Sequence, residues 1–131
     1  MSSGDRIVFF VDRSLGRNHV TNALKDVGEI VEAHDDHFPQ AAPDTVWLSD
    51  VAQKGWIILT ADQKIAHRRL EKLAVEQSQA KVFILVSGNL SGLEMAEVFV
   101  KAITSIKKFA LSSPAPFMAK VYKDGRVKAW K

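Results

Sequence analysis

The chain has no cysteine in its 131 residues. Disulfides and thiolate metal sites are thereby excluded, and any metal must be held by oxygen or imidazole. The same absence fits a reducing cytoplasm, where thiol cross-links do not persist. Long apolar runs are also missing. Nothing approaches the ~20 residues needed to span a bilayer, so no membrane is expected as a partner. The N-terminus, Met-Ser-Ser-Gly-Asp, lacks a basic stretch followed by an apolar one, so no secretory leader is expected. Internal repeats and low-complexity segments are absent as well. What remains is an ordinary globular composition, 47% hydrophobic and 25% charged, at a length that suits one domain with its own core. The expectation is a single domain over residues 1–131, located in the cytoplasm.

The charge is unevenly spread. The net charge is +3, yet Asp and Glu dominate residues 26–50 while Lys and Arg dominate 64–81 and 101–131. A local acidic cluster inside a basic chain is what a metal-dependent nuclease requires, with acids for a cation and a basic surface for a polyanion.

Hydrophobic periodicity alternates between strand and helix. Ile7-Val8-Phe9-Phe10-Val11 is a continuous apolar run of strand length, suited to burial on both faces. Val20, Ala23, Leu24 and Val27 follow at helical spacing, with Gly28 as the stop. Glu29 to Ala33 is a short second strand, and His34 to Pro43 is a polar loop whose histidines are expected in solvent. Asp44 opens a helix through Val46, Trp47, Leu48 and Val51 that ends near Gly55. Trp56 to Leu59 is a third buried strand. Ala66, Leu70, Leu73 and Ala74 predict one third helix with an inward apolar stripe, and Val82 to Val86 is a fourth strand. Ser91-Gly92-Leu93-Glu94 has capping-box spacing before a long helix reaching about Phe109. Strands alternating with helices imply the α/β class: a three-layer α/β/α sandwich around a mainly parallel sheet, with its core over residues 6–110.

Ser112-Ser113-Pro114-Ala115-Pro116 breaks that helix, and residues 117–130 form a C-terminal β-hairpin about Lys123-Asp124-Gly125. A two-residue Asp124-Gly125 loop would pair Val121 with Lys128 and mix apolar with charged residues on both faces. A three-residue loop with Gly125 left-handed pairs Val121 with Val127 and Ala119 with Ala129, gathering Phe117, Ala119, Val121, Val127 and Ala129 on one face. That second register is expected, because a one-residue slip moves a whole face. The opposite face carries Met118, Lys120, Tyr122, Arg126, Lys128 and Trp130. It reads as an edge guarded by lysine more readily than as a nucleic-acid surface.

Two aspartates sit where α/β sheets place chemistry. Asp12 directly follows the first strand and Asp62 the third, and ligands of open α/β sheets bind at the carboxyl ends of the strands. Asp44, at the start of a helix leading back into the third strand, faces the same rim. Converging carboxylates repel, and their burial is costly without a cation. Oxygen donors without cysteine point to Mg2+ or Mn2+. Such ions activate water and stabilise charge developing on a phosphodiester. Each acid also has a plain structural reading: Asp44 after Pro43 is a helix N-cap, Asp62 caps the helix after it, and Asp12 is the hardest to explain that way. Arg13 is placed to touch a phosphate or to pair with a carboxylate. Lys64, His67 and Arg68 follow Asp62 on the helix face opposite Leu70 and Leu73, as phosphate contacts or as a solvated face. Thr60 either hydrogen-bonds a metal ligand or fills a strand end. His34 and His37 flank Asp35 and Asp36 without a zinc spacing.

Three segments taken in order carry a resemblance: Val8-Phe9-Phe10-Val11-Asp12-Arg13-Ser14-Leu15-Gly16, Asp44-Thr45-Val46-Trp47-Leu48, and Gly55-Trp56-Ile57-Ile58-Leu59-Thr60-Ala61-Asp62. Together they resemble the PIN-like ribonucleases, in particular the short variant among VapC-type toxins of toxin–antitoxin pairs. The likeness covers about residues 6–90. It implies that Asp12, Asp44 and Asp62 bind Mg2+ or Mn2+ and act catalytically in hydrolysing RNA, with Arg13, Lys64 and Arg68 on the RNA backbone. It also implies an antitoxin that covers the acidic site, reaching it with an arginine, and it admits a homodimer. The family usually adds another acid on a helical insertion after the first helix. Here that stretch is short, and Asp36 is the expected catalytic substitute, with Asp35 and Glu32 beside it.

Two other functions stay open. A PIN-like scaffold short of its fourth acid would serve as a non-catalytic module binding RNA or a protein. A phosphoacceptor domain of receiver type also sets Asp at strand ends around Mg2+. It needs a paired acid near the first strand and a lysine after a late strand, where this chain has Ser87-Gly88-Asn89.

Overall fold

Apolar runs bounded by turn residues form the strands in a computed structural model that describes residues 6–130. The residues read for a leader lie outside that range. β1 (Val8–Val11), β2 (Ile30–Ala33), β3 (Ile57–Thr60), β4 (Lys81–Leu85) and β5 (Phe117–Val121) run parallel. β6 (Val127–Ala129) pairs antiparallel with β5, and the sheet order is β2-β1-β3-β4-β5-β6. The C-terminal hairpin therefore extends the central sheet and is no appendage to it.

The helices are α1 (His19–Asp26), α2 (Asp44–Gln53), α3 (Lys64–His67), α4 (Arg69–Ser78) and α5 (Gly92–Ser112). Successive strand side chains point to opposite faces. Phe9, Val11, Leu59 and Phe83 accordingly pack with α1 and α5, whereas Phe10, Ile58, Val82 and Ile84 pack with α2, α3 and α4. The expected three-layer sandwich results. Among the described residues no helix is long and apolar enough to cross a membrane.

The last crossover differs from the others. From β2 to β3 and from β3 to β4 the chain steps across the sheet with its helices on the α2 side. The step from β4 to β5 continues in the same direction, but α5 lies on the α1 side. The β4–α5–β5 connection thus has the opposite hand to those before it, a rare choice for parallel strands. Its consequence is that, among the described residues, no helix beyond α3 and α4 covers the α2 side of β5 and β6.

Local signals explain the start of α5 and the turn of the hairpin. Ser91 Oγ accepts from the Glu94 N–H at 3.1 Å, and Glu94 Oε1 accepts from the Ser91 N–H at 2.9 Å, closing the capping box that the spacing predicts. In the hairpin, Ala119 faces Ala129 and Val121 faces Val127, which is the expected register. Tyr122 N–H donates to the Arg126 carbonyl at 2.9 Å, and Gly125 N–H to the Tyr122 carbonyl at 2.8 Å. Asp124 Oδ1 accepts from the Arg126 N–H at 3.0 Å, and that bond above all holds its carboxyl below the ordinary value.

The single third helix is overturned. Arg68 is extended, with ψ 133°, and splits the segment into α3 and α4. The break rotates the second piece, so Val75 is buried while Leu70 and Leu73 are 67% and 40% exposed. They line a groove with α2 instead of the core.

Gly125 has φ 92°, a backbone state that costs an L residue roughly 1–2 kcal/mol. Gly125→Ala is therefore expected to lower stability by about that amount in urea denaturation. An unchanged midpoint would mean that the hairpin does not depend on this turn.

Candidate functional site

The carboxyl ends of β1 and β3 lie side by side, so the residues just past them share one rim. Asp12 N–H donates to the Leu59 carbonyl at 3.0 Å, carrying the ladder one residue beyond β1. The Asp12 side chain points into the rim and is only 2% exposed. Its Oδ2 accepts from Ser14 Oγ at 2.7 Å, from Thr60 Oγ1 at 2.8 Å and from the Ser14 N–H at 3.4 Å. Each hydroxyl in turn accepts a backbone N–H, Ser14 Oγ from Ala61 at 2.9 Å and Thr60 Oγ1 from Asp62 at 3.0 Å. Those bonds hold the hydroxyl oxygens, which also lie 3.0 Å from each other, within donating reach of Asp12. Asp12 Oδ1 is different: it is buried and has no hydrogen-bond partner. A buried carboxylate with one bare oxygen is costly unless a cation compensates.

Asp62 is held more simply. Its Oδ1 accepts from the Lys64 N–H at 3.0 Å, so the turn into α3 fixes the carboxylate, although the N-cap of α3 is Gln63 and not Asp62. Asp44 is not the N-cap of α2. Pro43 occupies that position, and Asp44 is the first helical residue. Its Oδ1 accepts from Trp47 Nε1 at 2.9 Å and from Arg13 Nη2 at 3.3 Å. All three acids thus follow one pattern. The protein grips a single oxygen of each, and among the described residues the second oxygen has no hydrogen-bond partner. Among the described residues no three His, Cys, Asp or Glu side chains stand close enough together to hold a metal ion.

Of the two roles open to Arg13, the structure brings it to the carboxylate. Besides Asp44, it donates to the Gln40 carbonyl, to the Ala42 carbonyl at 3.2 Å and to His34 Nε2 at 3.3 Å. It therefore ties the segment between β2 and α2 to the end of β1. His34 overturns the expectation of a solvated loop histidine. It is 1% exposed, packed among Phe10, Phe38 and Trp47 with ring centroids 6.0, 5.6 and 5.8 Å away. A short 3-10 turn, His34–Asp36, folds it back over Phe10. His37 instead bonds Glu32 at 2.7 Å, so the two histidines share no site.

The remaining candidates separate. Asp36 is exposed, and among the described residues it has neither hydrogen bond nor ion pair. Its neighbour Asp35 is the held one, by Gln40 Nε2 at 3.1 Å and Arg17 Nε at 3.5 Å. Lys64 is exposed at the start of α3. Arg68, at the break between α3 and α4, lines a 370 Å³ cleft together with Arg13, Asp44 and Glu71. Thr60 binds a candidate ligand, as one of its two readings had it. Ser14 and Trp47 were not singled out, although signals existed. Asp-x-Ser puts a hydroxyl within reach of the carboxylate two residues back, and Asp44 and Trp47 are three apart on one helix face.

Residues 7–87 match the family described as PIN like domain. The chain is also similar to a protein of Mycobacterium tuberculosis named "Putative ribonuclease VapC45", with 27% identity over 117 residues that span 86% of this chain and 84% of the relative. No solved structure matches.

Arg13→Lys keeps the charge but loses the planar fork that serves several acceptors at once. A loss of about 1–3 kcal/mol in urea denaturation is expected, with faster amide exchange between Phe38 and Asp44. Unchanged stability and exchange would mean that the clamp is idle.

Proposed function

The chain belongs to the PIN-like domain family, and from that premise we propose that it is a metal-dependent endoribonuclease, the toxin of a type II toxin–antitoxin pair acting in the cytoplasm. The observation that carries this is Asp12, whose buried carboxylate keeps one oxygen without a donor. Its donor set is oxygen alone, which favours Mg2+ or Mn2+.

In this mechanism Asp12, Asp62 and Asp44 are the residues that would hold the cation, each having one oxygen that the protein leaves uncommitted. When bound, the cation makes an attacking water more acidic and offsets the charge that grows on the phosphodiester. The surrounding residues orient the acids. Ser14 and Thr60 hold Asp12 by Oδ2, the Lys64 N–H holds Asp62, and Trp47 with Arg13 holds Asp44. Such outer contacts fix the ligand oxygens before anything binds. Lys64 and Arg68 meet the RNA backbone, Arg68 from the cleft it shares with Asp44. Asp36, exposed and untethered, has no part here. Ribonuclease activity also follows the name of the mycobacterial relative, and an antitoxin over the acidic rim follows the resemblance to VapC-type toxins.

One observation favours the second reading, a non-catalytic module that binds RNA or a protein. Asp44 is already paired with Arg13, and among the described residues the acids form no three-membered cluster. Labelled RNA incubated with and without Mg2+ or Mn2+ separates the two. The nuclease should cut only with metal, and Asp12→Asn or Asp62→Asn should lower the rate about a hundredfold or more. RNA bound but never cut by the wild type would establish the binding module, and cleavage undiminished in both variants would remove the acids from the chemistry.

A further inference from the structure

The hairpin presents a face that the acid site does not use. On the α2 side of the sheet Thr60 pairs with Ile84, Ile84 with Lys120 and Lys120 with Lys128. Thr60 is the residue that holds Asp12. One row thus runs from the acid site to β6, and at ~4.8 Å per strand it sets Lys120 about 10 Å and Lys128 about 14 Å from Thr60. α5 crosses on the other side, so this face of β5 and β6 stays open beyond α3. α3 itself bridges the gap. It begins with Lys64, two residues after Asp62, and ends with His67 against Trp130, ring centroids 5.5 Å apart.

Cations and aromatics alternate on the face. Lys120 Nζ lies 5.1 Å from the Trp130 ring centre, and the Arg126 guanidinium 4.8 Å from that of Tyr122. Residues 117–130 carry four cations and one acid, Asp124, which pairs with Arg126 at 2.8 Å. Among the described residues no carboxylate pairs with Lys64, Lys120 or Lys128. Tyr122 opens on a 340 Å³ cleft that reaches Val86 and Ser87, just past β4, the strand between the acid site and the hairpin. Lysine as an edge guard accounts for Lys128 on the outer strand. It does not account for Lys120, which lies on the interior strand β5, nor for rings seated between the cations.

We propose that this face of the hairpin is a track for single-stranded RNA leading away from the acid site. Lys64, Lys120 and Lys128 meet successive phosphates, and Trp130 and Tyr122 offer their rings to unstacked bases. Rings of this kind reach only unpaired bases and tolerate any sequence, because every base has a π-face. The track rests on the ribonuclease reading, which supplies the RNA.

Fluorescence anisotropy of a labelled oligouridylate in EDTA separates binding from cutting. The wild type should bind it in preference to a duplex of equal length. Lys120→Ala with Lys128→Ala should weaken binding about tenfold and reduce the slope of log K against log salt by about 1.4, at ~0.7 per phosphate contact. Removing the same charge elsewhere, with Lys25→Ala and Lys54→Ala, should leave affinity and slope unchanged. Trp130→Ala should also cost about tenfold. Because Trp130 packs against the core, that result counts only with an unchanged melting curve, and the exposed Lys128→Glu serves as a variant free of that concern. Hairpin variants that bind like the wild type, while the wild type cuts RNA, would overturn the track and leave the nuclease standing. A wild type that neither binds nor cuts RNA would overturn both. Loss of self-association in sedimentation, with RNA affinity intact, would overturn the track and make the face an interface between copies.

Discussion

Burying a carboxylate costs several kcal/mol unless its charge is met, and Asp12 is buried with only one oxygen met. The carboxyl rim is organised around that imbalance. Ser14 and Thr60, from the turn after β1 and the end of β3, spend their hydroxyl protons on Oδ2. The turn through Ala61 and Asp62 supplies the N–H groups that hold those hydroxyl oxygens in place. β1, β3 and the start of α3 are thereby locked to one another through a single side chain. Asp12 also caps the short 3-10 turn Arg13–Leu15 through the Ser14 N–H, but that contact too falls on Oδ2 and leaves Oδ1 unmatched.

Arg13 and Asp44 pose a related competition on the other side of the rim. Without a divalent cation the guanidinium is the nearest compensating charge for Asp44. Both contacts to Asp44 fall on Oδ1, so orientation and availability do not conflict. The same arginine binds the segment that buries His34 beneath Trp47 and Phe38. The loop between β2 and α2 is therefore tied to the acid site through Arg13.

Much of this was legible in the sequence because it is encoded locally. Continuous apolar runs mark strands buried on both faces, and Ser91 with Glu94 marks a helix start. Alternation across Phe117 to Ala129 decides the hairpin register. The places of Asp12 and Asp62 past β1 and β3 were readable because a strand end is a short-range feature. What escaped depends on partners distant in the chain. The extended Arg68 that divides α3 from α4, and the burial of His34, answer to packing across layers and have no periodic signature. Pairing of Arg13 with a carboxylate was foreseen, but which carboxylate, Asp44, 31 residues away, is decided by the same long-range packing. The side of the sheet on which α5 returns was also invisible, since its apolar stripe fits either face. That choice leaves the basic, aromatic face of the hairpin uncovered.

On the proposed reading the bare oxygen of Asp12 awaits a cation. Titration of metal-free protein with Mn2+ by isothermal calorimetry, wild type against Asp12→Asn, tests it without reference to any substrate. The wild type should bind Mn2+, and the variant, of the same shape but without the charge, should bind about a hundredfold more weakly or not at all. Equal Mn2+ affinity in the two proteins, or none in the wild type, would mean that Asp12 is not a metal ligand.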